Sequence, residues 1–187
     1  MLMLTQPHNW TADDLDLLPD DGNRYEVVDG ELFVTPAPSF AHQLVAAAIY
    51  NRLHAFVANQ KRFAWVMFAP GDVHVDMKNQ VQPDIFVVPR SAAGIPATWR
   101  EAPRPILVVE VLSATTARRD RGPKRELYMR AAIDEYWIVD HEKRRVRVVR
   151  RGEPDVEARD RVTWFPAGAS EPLVIDLSTL FRESLEE

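Results

Sequence analysis

The chain has 187 residues, 46% apolar and 27% charged, with a formal net charge of -5 and no cysteine. That length buries the core of one domain, so residues 1–187 read as a single unit and not as a disordered chain. The missing cysteines exclude disulfide scaffolds and cysteine-ligated zinc, and the acidic balance argues against a nonspecific coat on nucleic acid.

No apolar run approaches the ~20 residues that cross a bilayer, and Met1–Asp14 has neither a basic start nor a long apolar stretch, so no membrane span or signal peptide is expected and the location expected is cytoplasmic. The charge is unevenly placed. Residues 1–38 carry eight acids and one arginine, and residues 153–187 nine acids and three arginines. Between them, residues 118–130 and 141–151 each hold six basic side chains. Those two segments are either an ordinary solvated surface or a phosphate-facing patch.

In chain order, Asp29-Gly30 between Tyr25–Val28 and Leu32–Thr35 predicts a β-hairpin over 24–35. Period two puts Arg24, Glu26 and Val28 on one face of its first strand. Ser39 is a candidate N-cap for a long helix ending near Asn59, with Phe40, Leu44, Val45, Ala48, Ile49, Leu53, Phe56 and Val57 at helical spacing. Phe63–Phe68, Asp72–Asp76 and Asp84–Val88 read as strands, 90–104 as a loop, and Ile106–Leu112 as a strand deep in a sheet. Pro123 suits the start of a helix reaching about Ala132. Glu135–Asp140 and Arg144–Val149 read as paired strands, and Pro172–Glu187 as a short strand with a helical turn. The order predicts an α/β (α+β) core, a mixed central sheet flanked by helices behind an N-terminal hairpin.

Four side chains are awkwardly placed for a plain core. Glu110 interrupts the apolar run 106–112, where an unpaired carboxylate would cost several kcal/mol, so it is protonated, paired with a base or bound to a cation. Asp84 follows Pro83 at a strand entry, and Glu26 lies within the hairpin. Lys124 shares a helix face with Leu127 and Tyr128. Taken singly, each also fits an ordinary role: a solvated acid at a strand end, a hairpin surface, a snorkelling lysine. His42 begins the long helix; His8, His54, His74 and His141 have no ligand spacing. There is no glycine-rich phosphate loop and no nucleophile elbow.

Together these segments resemble the Uma2 family of endonucleases in the PD-(D/E)XK superfamily. The matching pieces are Arg24-Tyr-Glu-Val-Val-Asp-Gly-Glu31, Pro36-Ala-Pro-Ser39 with His42, Val81-Gln-Pro-Asp84 and Leu107-Val-Val-Glu-Val-Leu-Ser113. They continue through Arg118-Arg-Asp-Arg-Gly-Pro-Lys124, Tyr128 and Asp134-Glu-Tyr-Trp-Ile-Val-Asp140, so the likeness spans roughly residues 10–180. It implies a restriction-endonuclease-like fold in which Glu26, Asp84 and Glu110 hold Mg²⁺, with Mn²⁺ as a substitute, and Lys124 completes the catalytic set. A lysine expected two residues after the strand acid is replaced by Leu112; in this family it sits on the following helix, which points to Lys124. The resemblance further implies a nucleic-acid substrate, DNA in preference to RNA, held by His42, Arg118, Arg119 and Arg121. Two rivals stay open: an inactive nuclease fold that binds nucleic acid or a protein, and a mainly structural role in an oligomer such as a homodimer, with Trp137 and the strand 135–140 as the interface.

Overall fold

The computed structural model describes residues 9–186. His8 and the first residues of the N-terminal stretch lie outside that range. Among the described residues, no helix is long and apolar enough to cross a membrane.

A short helix α1 (Ala12–Leu15) opens the described chain. The sequence pattern missed it because it is held by a cap and not by apolar periodicity: the Thr11 hydroxyl takes the Asp14 N–H while the Asp14 carboxylate takes the Thr11 N–H. Strands β1 (Arg24–Val28) and β2 (Glu31–Thr35) form the expected hairpin, with Val28 opposite Glu31. Its turn residues Asp29 and Gly30 have φ of 51° and 79°, the left-handed pair that a two-residue hairpin requires.

Helix α2 (Phe40–Asn59) starts where Ser39 accepts the His42 N–H at 3.2 Å. Its buried stripe is Val45, Ile49, Leu53, Phe56 and Val57. Phe40 and Leu44, expected on that stripe, are 82% and 38% exposed. At 3.6 residues per turn they fall on the opposite side of the helix from Ile49 and Phe56.

Strands β3 (Ala64–Phe68), β4 (Val73–Asp76), β5 (Asn79–Val81), β6 (Ile85–Pro89) and β7 (Leu107–Val111) follow, with one 3₁₀ turn, Trp99–Glu101, in the segment expected to be loop. Then come α3 (Ala117–Arg121), α4 (Pro123–Arg130), β8 (Glu135–Asp140), β9 (Arg145–Arg150), β10 (Val156–Ala158), β11 (Arg161–Trp164), β12 (Leu173–Asp176) and α5 (Leu177–Leu185). The tail thus holds a nine-residue helix where one turn was expected.

The central sheet has the order β10-β9-β8-β7-β6-β3. Its one parallel pair, β7 with β8, is joined by the α3–α4 crossover. The remaining neighbours are antiparallel, which makes the sheet mixed, as expected. A second sheet, β2-β1-β5-β4, and the hairpin β11-β12 complete the strands.

Alternation along β7 sets the layers. Leu107, Val109 and Val111 pack with α2, α5 and Trp137 on one face. Val108 and Leu112 pack with Leu127, Tyr128, Tyr136 and Val28 on the other. Glu110 has the parity of the second face, which places it under α4 and beside β1. Trp137 is buried and donates its indole N–H to Glu135 Oε1 at 2.5 Å. The strand 135–140 lies between β7 and β9, so it cannot supply the dimer surface considered for it.

Candidate active site

The site forms where β6 and β7 begin to part. Ile85 pairs with Val109 and Phe86 with Val108. Continuing that antiparallel register by one residue sets Asp84 opposite Glu110, and directly opposed side chains share a face. Asp84 ends the ladder: its Oδ2 takes the Val111 N–H at 2.8 Å. Oδ2 also lies 3.0 Å from His42 Nε2, and Oδ1 takes a hydrogen bond from Arg24 at 3.0 Å. Burial alone would raise the Asp84 pKa. The hydrogen bond and charge of the His42 ring, the Arg24 guanidinium and the Val111 N–H outweigh it and hold the carboxyl at about 2.

Glu110 has the contrasting environment. Its Oε1 receives the Lys124 ammonium at 2.6 Å and the Tyr128 hydroxyl at 3.0 Å. Burial, together with the neighbouring carboxylates Asp120, Asp84 and Glu26, lifts its pKa to about 8 against the pull of Lys124. Tyr128 is pushed well above its ordinary value by burial and by Glu110, so it is a donor here.

Lys124 is fully buried. The crossover folds α4 back over β7, and its Nζ lies 2.6 Å from Oε1 of both Glu26 and Glu110 and 4.0 Å from Asp120 Oδ1. Burial opposes the ammonium, but the three carboxylates carry its pKa above the ordinary lysine value. Glu26 Oε2 is 3.0 Å from Arg119 Nη2, and Oε1 takes the Gln82 N–H at 2.8 Å. Burial is again outweighed, by Lys124 first and Arg119 next, and Glu26 is held below the usual carboxylate range.

Glu26, Glu110 and Asp120 thus share two buried cations, Lys124 and Arg119. The group is one positive charge short. Asp120, also raised by burial, and Glu110 are the acids that bear the shortfall. Among the described residues, the buried side-chain atoms without a hydrogen-bond partner are Glu26 Oε2, His42 Nδ1, Arg119 Nε and Asp120 Oδ1. All belong to this neighbourhood, and such concentration marks functional sites.

A cleft of about 250 Å³ opens above these groups and is lined by Asp84, Glu110, Arg24, His42, Thr116 and Arg119, among others. Glu26 and Lys124 lie behind its wall. Among the described residues, no group of three or more His, Cys, Asp or Glu is gathered as a ready metal cluster. Two acids do face the cleft, and Mg²⁺ is commonly held by one or two carboxylates with water and substrate phosphate making up the rest. Asp84 and Glu110 are the acids that line the cleft, so they are the candidate ligands for a hard cation there, although Arg24, His42 and the Val111 N–H already occupy both oxygens of Asp84. Glu26, engaged by Lys124 and Arg119, does not reach it in this arrangement.

The other expected residues are spread more widely. His42 and Arg119 border the cleft, but each is buried against an acid of the site. Arg118 is exposed, and Arg121 pairs with Asp140 at 3.0 Å. Most of the basic run is neutralised in the same way: Arg125 by Asp155, Arg130 by Asp29, Arg144 by Glu186, Arg145 by Glu157 and Arg150 by Glu135. Sequence reasoning missed Arg24, Asp120 and Tyr128 as site residues. The spacing 120, 124, 128 was the available signal, one residue per helical turn, though Gly122 and Pro123 break the helix between them.

A mixed sheet with acids at the ends of two neighbouring strands, a cleft above them and a buried lysine behind is a nuclease core of the restriction-endonuclease kind. The chain belongs to the Uma2 family, whose profile, described as "putative restriction endonuclease", matches residues 12–177. A solved structure from Anabaena variabilis, described as "a putative nuclease belonging to DUF820", superposes with a TM-score of 0.74 at 20% identity, over 94% of this chain and 99% of that one. At that identity the likeness establishes the fold. No curated protein gives a significant match.

Proposed function

We propose that residues 1–187 form one nuclease domain that hydrolyses phosphodiester bonds in nucleic acid, DNA in preference to RNA, with Mg²⁺ as the natural ion and Mn²⁺ as a substitute, in the cytoplasm. The observation that carries this reading is the pair Asp84 and Glu110, set opposite each other by the β6–β7 register and facing one cleft. Asp84 and Glu110 would hold the ion, and Glu26 would act from behind by fixing Lys124. When bound, the ion supplies Lewis-acid polarisation of the phosphate and a more acidic water. Arg24 and His42 keep Asp84 ionised and aimed. Lys124 and Tyr128 fix one oxygen of Glu110, and the other would be the one offered to the ion. Arg119, at the cleft wall, and the exposed Arg118 would meet the phosphate backbone. Purified protein with Mg²⁺ or Mn²⁺ should cut DNA, and Asp84→Asn or Glu110→Gln should abolish cutting. Persistent cleavage in both variants would sink the assignment.

A second reading has its own support. Lys124 is sealed from the cleft by the two carboxylates it binds, and Leu112, where the superfamily has its lysine, packs in the core with Ile138. On this reading the chain binds nucleic acid without cutting. Calorimetric titration separates the two: no heat at millimolar Mg²⁺, with nucleic-acid affinity unchanged in Asp84→Asn, favours the binding module.

A further inference from the structure

Three hollows on the surface share their walls. The cleft ends at Arg24 and Asp84, and the same two residues open a larger groove of about 670 Å³. The groove is also lined by Tyr50 of α2 and Phe68 at the end of β3, whose rings meet edge to face with centroids 5.1 Å apart. Tyr50 in turn borders a third hollow of about 280 Å³, beside β3, one of the two edge strands of the central sheet.

The chemistry changes along this path. Phe68 is 58% exposed, a large apolar face left to solvent next to an acidic centre. Tyr50 also stacks on His54, with centroids 5.7 Å apart and planes 24° from parallel. In the third hollow the Arg90 guanidinium lies over the Trp65 ring, 5.1 Å from its centroid, and Arg62 is exposed beside it. Neither Arg62 nor Arg90 has a carboxylate within ion-pair distance among the described residues. That separates them from the arginines of the crossover and β9, most of which are neutralised. The path runs from carboxylates, along aromatic rings, to guanidinium groups without a carboxylate partner, Arg90 giving only its Nε–H, to the Ala64 carbonyl at 3.3 Å. That sequence of chemistries suits a polyanion carrying flat apolar groups, and a duplex keeps the faces of its bases hidden in the stack.

We propose that Phe68, Tyr50, Trp65, Arg62 and Arg90 form a track for an unpaired nucleic-acid strand leading away from the cleft, with bases against the rings and phosphates at the guanidinium groups. The proposal rests on the nuclease reading of the cleft and adds that the strand on this side is single. Its affinity comes from stacking, so it tolerates many sequences.

The test is fluorescence anisotropy in EDTA with three labelled probes of one length: oligothymidylate, oligouridylate and a DNA duplex. Single strands should bind more tightly than the duplex, and the comparison of the first two probes shows which sugar is preferred. Phe68→Ala should weaken single-strand binding roughly tenfold, the scale of losing one stacking platform. The pair Arg62→Glu and Arg90→Glu should flatten the dependence of log affinity on log salt by about two contacts. Thermal melts unchanged from the wild type show that these variants remain folded. The track is overturned if the duplex binds as well as the strands, if Phe68→Ala leaves strand binding unchanged, or if no probe binds and sedimentation shows a dimer that Phe68→Ala dissociates. Cleavage with Mg²⁺ is scored separately. Strand binding without cleavage removes the nuclease reading alone, whereas cleavage of single strands with an unaltered KM in Phe68→Ala removes the track alone.

Discussion

Asp84 and Glu110 face the same cleft from neighbouring strands, yet their carboxyl groups are tuned in opposite directions, to about 2 and about 8. Asp84 meets a guanidinium, a histidine ring and a backbone N–H. Glu110 shares a single ammonium with Glu26 in a buried group short of positive charge.

On the proposed reading, a cation bound by Glu110 would displace the proton that its raised pKa retains. Mg²⁺ affinity should therefore rise as pH climbs through about 8 and level off above it. Below that pH, calorimetry in buffers of differing ionisation enthalpy should record proton release on binding. Affinity that is flat across this range would show that Glu110 is not a ligand.

The two acids should also leave opposite marks on stability. Asp84 is held below its ordinary 3.8, so its contribution is complete above that value and is lost as pH falls through about 2. Glu110 is held above its ordinary 4.5, so its contribution is complete below that value and is lost as pH rises through about 8. Urea midpoints should show this decline between about pH 4.5 and 8 in the wild type and in Asp84→Asn, and not in Glu110→Gln.

Lys124→Met should destabilise the protein by roughly 3–5 kcal/mol, because it leaves Glu26 and Glu110 buried without their shared ammonium. Adding Glu26→Gln should restore part of that loss. The coupling is measured by a double-mutant cycle in urea, and a purely additive result would show that the two side chains do not depend on each other.

Among the basic residues, those without an ion pair should matter more to nucleic-acid affinity. Arg118→Ala should reduce the salt slope by about one contact, while Arg130→Ala, which releases Asp29, should leave it nearly unchanged.

The legible parts of the chain were those fixed by local chemistry. Asp29-Gly30 demands its hairpin turn, Ser39 caps α2, and the segment 135–140, apolar from Tyr136 to Val139, becomes β8 over the expected residues. Glu110 was visible because a carboxylate in a buried strand requires a partner. Elements defined by their neighbours were not legible. β5 and β10 have three residues each and exist as strands because β1, β4 and β9 pair with them. The partners of the site acids were equally hidden: Arg24 meets Asp84 across 60 positions of sequence, a pairing that no local pattern encodes. The charge of Arg119 is evident in the sequence, whereas its buried partner Glu26 is not.

The placement of the ammonium on α4, and not on β7, has a consequence for how the buried charge group is assembled. A lysine on the strand would be fixed as soon as the sheet paired. Lys124 reaches Glu110 only once the crossover has docked, and α4 also brings Tyr128, while Arg119 and Asp120 arrive on the adjoining α3. Loosening this one segment would strip Glu26 and Glu110 of their cations while the central ladder stayed intact. If the cleft cuts as proposed, activity should therefore be lost on heating or in mild denaturant before the sheet melts, because the short helical pair can open locally while the ladder holds.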